Sequence, residues 1–179
     1  MSSLTDGATL SSGLLIARLV FGLLMVGHGT QKLFGWFGGH GLAGTGGFLE
    51  TLGFRPGRAF AAAASLTEIA GGLLLALGFL GPVGPALIIS VMVVAAISVH
   101  WRNGLFATAN GIEVPLLYAV VALSLALTGP GLFSLDAALG LTSLWTPAII
   151  WAAIAIGVVG GIVNLGLRRS AAQPAAAGV

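Results

Sequence analysis

Cysteine is absent from all 179 residues, and charge is scarce: Asp, Glu, Lys and Arg make up 7% of the chain. Without a thiol there is no disulfide, no dithiol relay and no cysteine-held iron–sulfur cluster. Any thiol chemistry associated with this protein belongs to a partner. Soluble domains carry about 25% charged residues, so this surface cannot keep a compact protein in water. The formal charge of +2 gives no nucleic-acid footprint. The first twelve residues, MSSLTDGATLSS, hold no basic residue. A cleaved leader, with its basic start and short apolar core, is therefore not expected.

What the chain has in abundance is apolar sequence, at 57% of residues and a mean hydropathy of +1.06. A membrane-crossing helix takes about 20 such residues. Apolar runs cover 13–34, 59–80, 82–101, 113–129 and 144–166, the fourth being the shortest. No alternation of a β-barrel kind is present, so the expected fold is an all-α membrane protein with five crossings. Residues 1–12 form a polar N-terminal segment, and 170–179 are expected to be a disordered tail.

Five crossings place the termini on opposite sides. Lys32, Arg55, Arg58, Arg102, Arg168 and Arg169 then gather on the side away from the N-terminus, and Arg18 lies inside the first run. The excess of Lys and Arg on cytoplasmic loops predicts the N-terminus outside and the C-terminus in the cytoplasm. Trp36 and Trp101 fall at one boundary and Trp145 at the other, as in an interfacial aromatic belt.

Charged residues inside the spans are costly and mark partners or cavities. Arg18, Gly22, Met25, Gly29 and Lys32 repeat every three or four residues and share one helix face. In the second run Ala61, Ala64, Ser65, Glu68, Gly71 and Gly72 make a small-residue face around a carboxylate. At about 1.5 Å per residue, Glu68 lies about 13 Å in from the basic side and about 5 Å deeper than His28. His100 ends the third run and Glu113 opens the fourth. These positions predict a polar pocket of Arg18, His28, Lys32, Glu68, His100 and Glu113 that binds a ligand or relays protons. The alternative is a structural pair, Arg18–Glu68 or His28–Glu68. Haem between His28 and His100, or a metal held by both and Glu68, has suitable ligand types and no recognisable spacing.

Two glycine patterns invite specific readings. Gly39-His40-Gly41-Leu42-Ala43-Gly44 matches a dinucleotide turn, but a membrane helix precedes it where a strand is required. Residues 35–57 are read as a loop, flexible or re-entrant, with a short amphipathic piece. Gly157 and Gly161 make a small-xxx-small face, read either as lipid-facing or packed within the bundle, or as a homo-oligomer contact.

Arg18, GHGTQKLFGWFGGHG, Glu68 within SLTEIAGGLLLALG, FATANGIEVPLL and GPGLFSLD together resemble the DoxX family of small bacterial membrane proteins. The likeness spans about residues 13–138 as a four-helix membrane domain and leaves 139–169 as an additional transmembrane helix. It implies a bacterial inner-membrane protein associated with redox chemistry. Some members resemble the membrane subunit of thiosulfate:quinone oxidoreductases. Others resemble the membrane partner of complexes linking thiol handling to superoxide detoxification. The matching positions are Arg18, His28, Gly29, Lys32, Glu68, Gly71, Gly72 and Glu113. The function expected is a membrane subunit that binds a quinone or a similar apolar ligand and works with a soluble oxidoreductase, without an intrinsic cofactor. A non-catalytic anchor, or a small-solute or proton transporter, is the alternative.

Overall fold

The computed structural model describes residues 2–169; the 170–179 tail lies outside them. Seven α-helices follow in order: α1 Ser2–Phe34, α2 Gly41–Thr51, α3 Gly57–Leu77, α4 Val83–Ala95, α5 Glu113–Thr128, α6 Leu135–Ala138 and α7 Pro147–Gly166. Helix α4 runs on through a π-helical turn, Ala96–His100, and a 3-10 turn, Trp101–Asn103. Four helical segments are long and apolar enough to cross a membrane: Gly7–Phe34, Gly57–Leu77, Val83–Asn103 and Pro147–Gly166. The protein is an all-α membrane protein. Helix α5, with 16 residues, reaches about 24 Å, short of a roughly 30 Å hydrocarbon core.

Lipid is as apolar as leucine, so helices in it associate through close packing and polar contacts. The α1–α3 pair shows how. The stripe from Arg18 to Lys32 faces α3, with Arg18, Gly22, Met25 and Gly29 buried. A Cβ on Gly22 would stand 2.6 Å from the Gly72 carbonyl oxygen, and one on Gly72 would stand 2.5 Å from that of Gly22. Only glycine on both helices permits that approach. Met25, Ile88, Tyr118, Ala122 and Ile154 join α1, α4, α5 and α7 in one apolar core.

The small face of α7 is spent inside the chain. A Cβ on Gly157 would meet the Ala86 carbonyl, and one on Gly161 the Ser90 carbonyl. Both glycines are buried against α4. The homo-oligomer reading of Gly157 and Gly161 is corrected accordingly: a face already covered by a neighbouring helix is not free for a second copy.

The glycine-rich stretch after α1 is largely helical. A 3-10 turn, Trp36–Gly38, leads into α2, which packs on α1 and α3. Glu50 ties the last turn of α2 to the first residue of α3, its Oε1 accepting from the Gly57 N–H at 3.0 Å. At the same end α7 returns, where the Arg169 N–H donates to the Gly53 carbonyl at 2.8 Å and the Arg168 guanidinium lies 5.9 Å from the Phe54 ring centre. Lys32, Arg55, Arg58, Arg102, Arg168 and Arg169 thus collect at one end of the bundle.

Candidate functional site

In a helix the side chains lean toward the N-terminus. In the antiparallel α1–α3 pair this tilt brings two distant levels together. Lys32 leans back into the bundle, Glu68 leans outward, and Lys32 Nζ forms an ion pair with Glu68 Oε1. Lys32 is 36% exposed and Glu68 only 1%. The pair therefore joins a buried carboxylate to the basic end of the protein. Among the described residues Glu68 Oε2 is buried without a hydrogen-bond partner, a condition worth about 1–3 kcal/mol to relieve.

Tyr118, the chain's single tyrosine, approaches this pair from α5. It is 8% exposed, and the Glu68 charge acts on it. Its ring stands edge-on to Phe21 at 5.7 Å and to His28 at 5.6 Å. On its other side, His28 opens onto a groove of about 690 Å³ along the outer face of α1. Leu23, Leu24, Gly27, Gln31, Trp36 and Phe37 belong to its walls. An apolar groove on the outer face of α1 thus borders a series of polar groups: His28, with Tyr118 edge-on against it, and the Glu68–Lys32 pair of the α1–α3 interface. Such a series can bind an oxygen-bearing apolar molecule and exchange protons with it.

The other expected members stand elsewhere. Arg18 leans toward the N-terminal end of α1, away from Glu68. Its Nη2 donates to the Phe133 carbonyl at 2.5 Å and its Nη1 to the Ala76 carbonyl at 3.4 Å. The Arg18–Glu68 and His28–Glu68 pairs are replaced by Lys32–Glu68, because helix tilt favours the lysine below over the arginine above. His100 and Glu113 build the connection between α4 and α5. His100 Nδ1 donates to the Asn110 carbonyl at 2.8 Å, and Glu113 Oε2 accepts from the Ala107 N–H at 2.7 Å. Among the described residues no group of three His, Asp or Glu side chains converges as a metal site would require.

Asp136 is a second fully buried carboxylate, in α6 at the Arg18 end. Its oxygens accept from the Leu80 N–H at 2.9 Å, the Gly81 N–H at 2.7 Å and Trp145 Nε1 at 2.7 Å. It pins the α3–α4 turn to the segment before α7. In the sequence it reads as an ordinary loop acid. The signal is local: Ser134 caps α6, accepting from the Ala137 N–H at 3.1 Å, and the acid follows in the first turn.

A model of the DoxX family matches residues 13–101. The chain belongs to the DoxX family. The match contains Arg18, His28, Lys32, Glu68 and His100, and ends before Tyr118, Asp136 and α7. No curated protein and no solved structure matches the chain. In this DoxX protein the polar side chains of α1 and α3 therefore divide between two ends. His28, Lys32 and Glu68 serve the basic end, and Arg18 serves the opposite one.

Proposed function

We propose that this DoxX protein is the membrane subunit of a redox system and binds a quinone from the bilayer beside His28. The observation that carries the reading is the position of His28. It lines the lipid-facing groove and lies edge-on to the buried Tyr118, on the same helix as Lys32, which pairs with the buried Glu68.

A quinone has an apolar tail and two carbonyl acceptors, and its reduction to quinol takes two electrons and two protons. The groove suits the tail, and the His28 imidazole supplies a donor for a carbonyl. Glu68, with one oxygen unpartnered, holds and passes a proton. Lys32 keeps that carboxylate in contact with the basic end. No side chain of this protein supplies the electrons, which come from a soluble oxidoreductase. The cluster of Arg55, Arg58, Arg102, Arg168 and Arg169 gives an acidic partner its docking face. The same bias puts that face in the cytoplasm and the N-terminus outside.

The test is mass spectrometry of ubiquinone and menaquinone co-purifying with the wild type, His28→Leu and Glu68→Gln. Retention by the wild type and loss in His28→Leu supports the site. An absence of quinone from all three, with an oxidoreductase still captured, makes the chain an anchor.

A further inference from the structure

A cavity of about 800 Å³ lies at the opposite end of the bundle, between the N-terminal half of α1, the ends of α3 and α5, and the start of α7. That volume falls within the roughly 300–1,000 Å³ of small-molecule sites. Its wall is mainly apolar, from Leu10, Leu14, Leu75, Leu125 and Ile150, and Arg18 is the one charged residue in it among the described residues.

Arg18 is 1% exposed, so its charge has little water around it. A guanidinium has five N–H donors in a fixed fork. Two are used: one on the Phe133 carbonyl and one on the Ala76 carbonyl, the latter at a long 3.4 Å. Nε is buried without a hydrogen-bond partner among the described residues. Asp136 carries the opposite charge but makes no ion pair with Arg18, is absent from the cavity wall and already accepts three N–H donors. Its charge offsets the guanidinium at a distance without satisfying its donors. A carboxylate oxygen can accept from the Nε–H that these two bonds leave free, forming a charge-assisted hydrogen bond.

We propose that this cavity binds an apolar chain ending in a carboxylate, its head on Arg18 and its tail along Leu14, Leu75 and Leu125. The site is separate from the groove at His28, and neither depends on the other.

Trp145 lines the cavity and gives the readout. With Trp36, Trp101 and Trp151, all exposed, replaced by phenylalanine, the full chain is placed in zwitterionic nanodiscs and titrated with dibromostearic acid and with its methyl ester. The acid quenches Trp145 saturably, and the ester requires about tenfold more, the size of one charge-assisted hydrogen bond. Arg18→Gln brings the acid to the level of the ester. Because Arg18 also holds backbone carbonyls, Thr128→Phe is the second variant: an exposed wall residue whose enlargement blocks the tail and removes saturable quenching. Acetate, a head without a tail, fails to displace the acid. Equal quenching by acid and ester, or displacement by acetate as effective as by the fatty acid, overturns the proposal. So does unchanged quenching in Thr128→Phe.

Discussion

Lys32 and Glu68 lie 36 positions apart in the sequence and form an ion pair across the α1–α3 interface. The lysine sits at the end of its helix and the glutamate in the interior of its own. They meet because side chains on antiparallel helices lean in opposite directions along the membrane normal. The consequence is an asymmetric pair, with one partner able to reach water and the other enclosed.

That asymmetry predicts unequal costs. Lys32→Met strands a buried carboxylate, whereas Glu68→Gln leaves a half-exposed ammonium that can snorkel to the surface. Lys32→Met is expected to destabilise by about 2–4 kcal/mol and Glu68→Gln by less. The double variant should be more stable than Lys32→Met alone. Thermal unfolding in detergent checks the order, and equal costs for the two single variants would remove the basis for it.

The glycine contact between α1 and α3 predicts a second ranking. Gly22→Ala and Gly72→Ala each push a methyl into opposing backbone and should cost about 1–3 kcal/mol. Both are relieved by the same separation of the helices, so their costs should not add. Gly27→Ala, with nothing within 4 Å of a new Cβ, is the control and should be neutral or mildly stabilising.

For α7, Gly161→Val should lower the unfolding temperature while leaving the oligomeric state unchanged, because the face it alters is packed on Ser90 and Val93 of the same chain. Light scattering of the detergent complex together with a thermal scan separates the two effects. A change of mass without a change of stability would restore the oligomer reading.

Asp136→Asn should cost about 2–3 kcal/mol, since three N–H groups donate to a carboxylate that accepts at both oxygens, and an amide accepts at only one. The Trp145 emission should move to longer wavelength as its indole N–H loses a fixed partner. An unshifted spectrum would mean that Trp145 is held by something other than Asp136.

Which parts of this were legible in the sequence follows from what periodicity encodes. The apolar runs located α1, α3, α4, α5 and α7 because length and hydropathy are properties of one segment at a time. The stripe from Arg18 to Lys32 was legible for the same reason: residues three and four apart share a face. Which partner each charge chooses depends on side-chain tilt and on the level of the opposing helix, so periodicity leaves Arg18 open to pairing with Glu68, whereas the structure turns it to the Ala76 and Phe133 carbonyls. Tyr118 carries no spacing signal in its short run, and only the packing of α5 against α1 brings it against His28. The α2 helix was hidden by glycines, whose weak helix preference is overridden there by packing on α3. A small-residue face such as Gly157–Gly161 states that something comes close without naming the molecule it belongs to.

The central claim is that quinone enters from the bilayer at His28. Photoaffinity labelling with an azido-quinone in nanodiscs, followed by peptide mapping, tests it most directly. The account predicts labels on the α1 groove and its flank, among Leu19–Gln31 and Trp36–Phe37, competed by unmodified quinone and lost in His28→Leu. Labels confined to Leu10, Leu14 and the segment around Trp145, or no labelling that unmodified quinone displaces, would contradict it.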